Sequence, residues 1–197
     1  MENSNNISTP PPLPPNYPST GKVNISTEKL FGGFGLIFIL LSVIPFIGLV
    51  FWLIGFILLT MSMYQLSKRF NAPPLFNNFL IAVALSFLSW IIALVLGVIG
   101  SLSAASLSRV SSGADFGLMI AFLTLYFIAL VVAYFYNKSF TLLASITKHN
   151  LFKIASITTF IGVATTMILL GIVIVPVGLI LLAIAFFTAP DEVEVRS

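Results

Sequence analysis

The chain has 197 residues, of which 8% are charged and 58% apolar, with a net charge of +3. Globular proteins carry about 25% charged residues, so a soluble fold with polar helix faces is excluded, and nine thinly spread cations do not make a nucleic-acid surface. With no cysteine and a single histidine, disulfides, thiolate or histidine metal sites and cysteine nucleophiles are excluded as well.

The chain opens on "MENSNNISTPPPLPPNYPST", a Pro-, Asn- and Ser-rich stretch without the apolar core of a cleavable leader. It cannot bury enough apolar surface to fold, so residues 1–29 are expected to form a disordered tail with local polyproline II. "PPPLPP" fits either a solvated tail or a docking motif for a proline-reading domain.

Four uncharged blocks follow, 30–67, 70–108, 116–137 and 154–190. Each exceeds the roughly 18 residues that mark a candidate membrane span. The second and third blocks each suit one helix, within Asn78–Leu102 and Phe116–Tyr136. As single helices the first and last would be about 55 Å long, nearly twice a hydrocarbon core of about 30 Å. Both contain turn signals: Pro45 with Gly48, and Gly171 with Pro176 and Gly178.

Positive charge arbitrates, because Lys and Arg concentrate in short cytoplasmic loops. If both long blocks are hairpins, Lys22, Lys29, Lys68, Arg69, Lys138, Lys148, Lys153 and Arg196 share one side, against Arg109 alone. Single helices would divide the cations almost evenly. The prediction is an all-α integral membrane protein of about six transmembrane helices, including two tight helical hairpins, with four or five spans as the alternative. The expected spans are 30–44, 49–66, 78–101, 116–136, 152–170 and 175–189, forming a polytopic membrane domain over 30–189. Residues 190–197 form a short acidic C-terminal tail, and both termini lie on the cytoplasmic side of the plasma membrane. The first and last spans are short for a full crossing.

Aromatic residues that favour the headgroup level should anchor the ends. Trp52 is expected at the outer interface, and Tyr64, Tyr134 and Tyr136 at the inner one. Trp90 falls mid-span, where Ser86 is the expected partner of its indole N–H. Two inner connectors remain, 66–78 and 137–150, the latter expected to lie along the membrane surface through Phe140, Leu143 and Ile146. Asp115 is expected to cap the fourth span or pair with Arg109, and His149 to sit at headgroup level.

No charge lies inside any span, so proton relays and charge-paired ion sites have no residues to use. Small and hydroxylated residues stand there instead. Ala82, Ser86, Ser89, Ala93, Gly97 and Gly100 fall on one face of the third span. Ala155, Thr159, Gly162 and Thr166 do so on the fifth, and Gly32, Gly33 and Gly35 crowd the first. Such stripes pack helices closely in lipid; the alternative is a weakly polar path for a small neutral solute. No catalytic, cofactor-binding or metal-ligating residue can be named, since no acid–base pair or metal constellation is present.

The stretches "KLFGGFGLIFILLSVIPFIG", "LIGFILLTMSMYQLSKRF", "LFNNFLIA" and "NLFKIASITTFIGVATTMILLG" resemble a prokaryotic family of multi-pass membrane proteins, domain of unknown function 996. The likeness covers about residues 29 to 189. It implies a cytoplasmic-membrane location, no assigned activity and no catalytic residue. The expected role is that of a non-enzymatic scaffold, assembly or accessory component, with a small channel or permease for a neutral or lipid-like solute as the alternative. The expected partners are the lipid bilayer and, through the small-residue seams, a second copy or another membrane protein.

Overall fold

A computed structural model describes residues 21–106 and 112–195. Six α-helices follow one another: α1 (Ser26–Leu41), α2 (Gly48–Arg69), α3 (Pro73–Ser106), α4 (Ser112–Thr147), α5 (Asn150–Ala164) and α6 (Gly171–Thr188). Short strands β1 (Gly21–Asn24) and β2 (Glu192–Val195) flank them. The helices pair as three hairpins, α1–α2, α3–α4 and α5–α6. Helix α4 also packs on α5, and α6 returns to α1, which makes a ring whose slightest contact is the α2–α3 seam.

Among the described residues four helices are long and apolar enough to cross a membrane: α2, the Pro73–Gly97 part of α3, the Met119–Thr147 part of α4, and α6. Helices α1 and α5, the entering arms of the two hairpins, have only 16 and 15 residues. Side chains on these helices are apolar and outward-facing along much of their length, among them Phe34, Ile57, Leu94, Phe122 and Ile180. In water that exposed area would be strongly unfavourable.

The first hairpin turns where Pro45 and Gly48 indicated. Phe46 adopts φ 68°, in the left-handed region, and Gly48 starts α2. The Ser42 hydroxyl donates to the Ile39 carbonyl at 2.6 Å and so satisfies a helix-end acceptor. The second turn lies earlier than Gly171–Gly178. It occupies residues 165–170, with a 3₁₀ turn over Thr166–Ile168 and Leu169 at φ 64°. Thr165 and Thr166 donate to the Gly162 carbonyl at 3.2 and 3.0 Å, so hydroxyls rather than proline end α5. Pro176 sits inside α6, and Gly178 marks a crossing, because a side chain there would strike the Thr159 backbone.

The small-residue stripes of the first and fifth spans are packing seams. A Cβ on Gly35 would lie 2.8 Å from the Gly55 carbonyl oxygen, and one on Gly162 would lie 2.8 Å from the Val175 nitrogen. The α3 stripe has a different fate along its length. Ala82 is fully buried, Ser86 and Ser89 face an interior cavity, and Gly97 has nothing within 4 Å of an added Cβ.

The dense core lies at the end of the bundle where α1 starts and α2 ends. Ile25, Leu66, Leu75, Phe79, Leu143, Phe152 and Phe186 are buried there. Every charged residue whose side chain is described lies at this end or within three turns of it, Lys138 being the deepest along α4. Residues 137–147, expected along the membrane surface, continue α4 instead. Phe140 and Leu143 enter the core, and the buried Ser139 hydroxyl donates to the Leu75 carbonyl at 2.8 Å. A surface helix would have left these apolar side chains without packing partners.

Residues 21–29, expected in the tail, form β1 and the first turn of α1. Strand β1 pairs antiparallel with β2, with Val23 opposite Val193 and Lys22 opposite Glu194. An isolated two-stranded ribbon is marginal in water. This one is held by buried Ile25 and Val193 and by ion pairs Lys22–Glu192 at 3.3 Å and Lys29–Asp191 at 2.5 Å. The acidic C-terminal segment is therefore the pairing partner of a basic strand. "PPPLPP", Arg109 and Arg196 lie outside the described residues, as does the expected Asp115–Arg109 contact.

Candidate functional site

All six helices contribute to one interior cavity of about 440 Å³. Its inner floor, toward the charged end, is formed by Phe140 and Asn137 of α4, Ser156 of α5, Leu182 of α6 and Leu59 of α2. Toward the hairpin tips the wall becomes Trp52 and Phe56 of α2, Phe87 and Trp90 of α3, and Val163 of α5. Trp90 is 66% exposed and Phe87 48% exposed, so the cavity reaches the outside of the bundle beside α3.

This opening coincides with the weak α2–α3 seam. Three rings span it: Trp52 stacks on Phe56 at 5.5 Å, and Phe87 meets both edge-on, at 6.4 and 5.7 Å. Bulky aromatic side chains hold these helices apart, whereas Gly35 and Gly55 let α1 and α2 touch backbone to backbone. The seam therefore follows directly from residue size.

Asn137, Ser156 and Thr159 line the inner half, and Ser86 and Ser89 lie farther out, beside Phe87 and Trp90 on α3. The Ser156 hydroxyl is within 2.8 Å of Asn137 Oδ1 and 3.0 Å of the Lys153 carbonyl. The Thr141 hydroxyl reaches the same Asn137 oxygen at 3.4 Å. Ser86, Ser89 and Thr159 donate back to the carbonyls of Ala82, Leu85 and Ala155, as helix hydroxyls commonly do. The Tyr136 side chain meets Ser86. Among the described residues no charged side chain lines the cavity; Lys138 and Lys153, beside its floor, are exposed.

Several expectations change here. Trp52 and Tyr136, expected as interface anchors, face the cavity. Trp90 makes no hydrogen bond to Ser86, and its ring is largely exposed on the outside of α3. Tyr64 does sit at the charged end, with the Lys68 ammonium 4.7 Å above its ring. His149 precedes α5 and pairs through Nε2 with the Thr188 hydroxyl at 3.0 Å, joining the start of α5 to the end of α6. Asn137 was not singled out in sequence, because it stands at the end of an apolar run where an interfacial asparagine is ordinary.

A buried ion pair closes the charged end. Glu28 is 1% exposed, and Arg69 Nε lies 2.6 Å from its Oε1, without the alignment of a hydrogen bond. Arg69 also donates to the Asn24 carbonyl at 2.7 Å, and Ser62 donates to the Glu28 carbonyl at 2.7 Å. Among the described residues no group of three or more His, Cys, Asp or Glu side chains is placed to hold a metal ion. The pair fastens α1, α2 and β1 together.

Residues 51–185 match the profile of a protein family of unknown function, DUF996. The match spans more than half of the chain and takes in the cavity-bearing bundle except all of α1, the first residues of α2 and the end of α6. The chain belongs to the DUF996 family. A relative, the uncharacterized protein MJ1644 of Methanocaldococcus jannaschii, is 27% identical over 180 residues, covering 88% of this chain and 97% of that protein. No solved structure matches. The DUF996 match begins at Phe51, one residue before Trp52, so both tryptophans and all polar cavity residues fall within it.

Proposed function

We propose that this DUF996 protein is a non-enzymatic, multi-pass protein of the cytoplasmic membrane that admits an apolar, lipid-like molecule to the centre of its bundle. The cavity carries this proposal. Its size lies within the range of about 300–1,000 Å³ typical of ligand pockets, it is walled mainly by aliphatic and aromatic groups, and it opens sideways where lipid would be. A scaffold needs no such interior space. The uncharged lining does not suit an ion path.

Orientation follows from charge. The end bearing Lys68, Arg69, Lys148 and Lys153 is assigned to the cytoplasm. From there α3 and α4, with 34 and 36 residues, exceed the bilayer thickness. The short arms of the first and last hairpins, α1 and α5, do not. The uncharged part of α1, Leu30–Leu41, rises about 18 Å, and that of α5, Ile154–Ala164, about 16 Å. Both tips are apolar and bare: Val43 is 86% exposed, Phe46 wholly so, and Leu169 71%. We read the short arms as holding the tips in the outer leaflet, although α2 and α6 are long enough to cross, with the Ser42, Thr165 and Thr166 hydroxyls donating to carbonyls of the last turns of α1 and α5.

The test uses Trp52 as a reporter in a Trp90→Phe background, with protein in detergent micelles. Hexadecane brominated at one end should quench Trp52 saturably, and Ala129→Phe, which fills the cavity wall, should abolish saturation. Quenching that rises linearly and ignores Ala129→Phe would refute cavity binding. A second reading, assembly with another copy or membrane protein, is favoured only by Gly97, whose open surface on α3 leaves room for a close helix.

A further inference from the structure

We propose that the molecule held in the cavity is an amphiphile with an uncharged, hydroxyl-bearing head, bound at Asn137 and Ser156, and a hydrocarbon tail directed toward Trp52. This rests on the cavity being a binding site and specifies its ligand class. Three observations carry it.

The first is polarity along the axis. Asn137 lies ten residues from the inner end of α4 and Ser156 six from the start of α5, whereas Trp52 stands four residues from the tip end of α2. The Asn137 amide and the Ser156 hydroxyl lie at the inner end, and farther out the wall is aromatic and aliphatic except for Ser86 and Ser89, whose hydroxyls already donate within α3. A ligand with one polar end fits in one direction only, with its head at the level of Lys138 and Lys153, which is headgroup depth.

The second is the Asn137 amide. Its Oδ1 takes the Ser156 and Thr141 hydroxyls, and its amide N–H group has no partner among the described residues. Ser156 has one proton for two acceptors, Asn137 Oδ1 and the Lys153 carbonyl. If that proton goes to Lys153, the amide can turn and donate to Ser156, which presents its oxygen to the cavity instead. One half of the amide stays free in either arrangement, as a donor in one and an acceptor in the other. A hydroxyl satisfies both, because it donates and accepts.

The third is charge. Among the described residues no acidic or basic side chain lines the cavity; Tyr136 is the sole titratable one there. A carboxylate, phosphate or ammonium head would enter without a counter-ion, and burying an unpaired charge is strongly unfavourable. The neighbouring Lys138 and Lys153 are exposed and do not line the site.

The experiment compares three probes, each brominated at the terminal tail carbon: hexadecane, hexadecanol, and hexadecanoate at a pH that ionises it. Trp52 quenching is read in the Trp90→Phe background. Hexadecanol should bind about fivefold more tightly than hexadecane, the yield of one or two net hydrogen bonds, and hexadecanoate more weakly than hexadecanol. Asn137→Leu, close in volume, should bring hexadecanol down to the level of hexadecane measured in the same variant, whose fold is checked by its thermal unfolding. Ser156→Ala should lose part of the difference. Equal binding of hexadecanol and hexadecane, or hexadecanoate as tight as hexadecanol, overturns the ligand class while leaving the cavity reading intact. Failure of all three probes to quench saturably overturns both.

Discussion

The α1–α2 hairpin depends on a contact that a single methyl group would destroy. At Gly55 an added Cβ would sit 2.5 Å from the Gly35 carbonyl oxygen and 2.8 Å from the Ile39 nitrogen. Both are backbone atoms and cannot swing aside. Ordinary contact begins at 3.4 Å, so the helices must part by nearly an ångström. In an unhindered helix Gly→Ala stabilises by about 0.5–1 kcal/mol. Overpacking typically costs about 1–3 kcal/mol, and the separation also loosens Leu59 and Leu36, which pack at the same level. Gly55→Ala should therefore destabilise by about 1–2 kcal/mol net. Gly97→Ala, with nothing within 4 Å, should be neutral or stabilising by up to about 1 kcal/mol. Thermal unfolding of both variants in the same detergent decides the matter. Equal shifts, or a Gly55→Ala variant as stable as the parent, would show that the hairpin is not packed as described.

Arg69→Ala strands a carboxylate that is 1% exposed. Loss of one partner of a buried pair costs about 3–5 kcal/mol, and because the Arg69 side chain is 46% exposed, water will screen it and about 2 kcal/mol is expected. Adding Glu28→Gln to Arg69→Ala should recover most of that loss in the same melt, whereas a purely steric role for Arg69 would give no recovery. Single cysteines at Phe46 and Leu169, in a chain without native cysteine, should resist an impermeant thiol reagent from either side while reacting with an apolar one. A cysteine at Lys22 should react only from the cytoplasmic side, and ready labelling at 46 or 169 from outside would mean that the hairpins cross completely. Shortening the chain before Glu192 should lower the melting temperature by removing the strand opposite β1 and the Glu192 partner of Lys22.

The hairpin architecture was legible in the sequence for a physical reason. An uncharged run of 37 residues, Leu30 to Leu66, cannot be one span, and the cations fall on one side only if it folds back. The first turn could be placed because Pro45 and Gly48 bracket it. The second could not, since the reversal at 165–170 is made by threonine hydroxyls and a left-handed leucine, while Pro176 and Gly178 serve other ends. The tail strands were hidden as well: "GKVN" and "EVEV" are too short to announce themselves, and only their meeting across the chain makes them a ribbon.

For the site, residue type was visible and direction was not. Ser86, Ser89 and Gly97 share one stripe in the sequence, yet two face a cavity and the third faces outward. Trp52 and Tyr136 carry the composition of interface anchors and Trp90 that of a mid-span residue, yet all three become cavity walls. Composition and charge by themselves determined that this chain is apolar, helical and sided, because those properties sum over residues. Only the tertiary structure decided that its helices enclose a space with a polar floor, because a void depends on which side chains fail to meet.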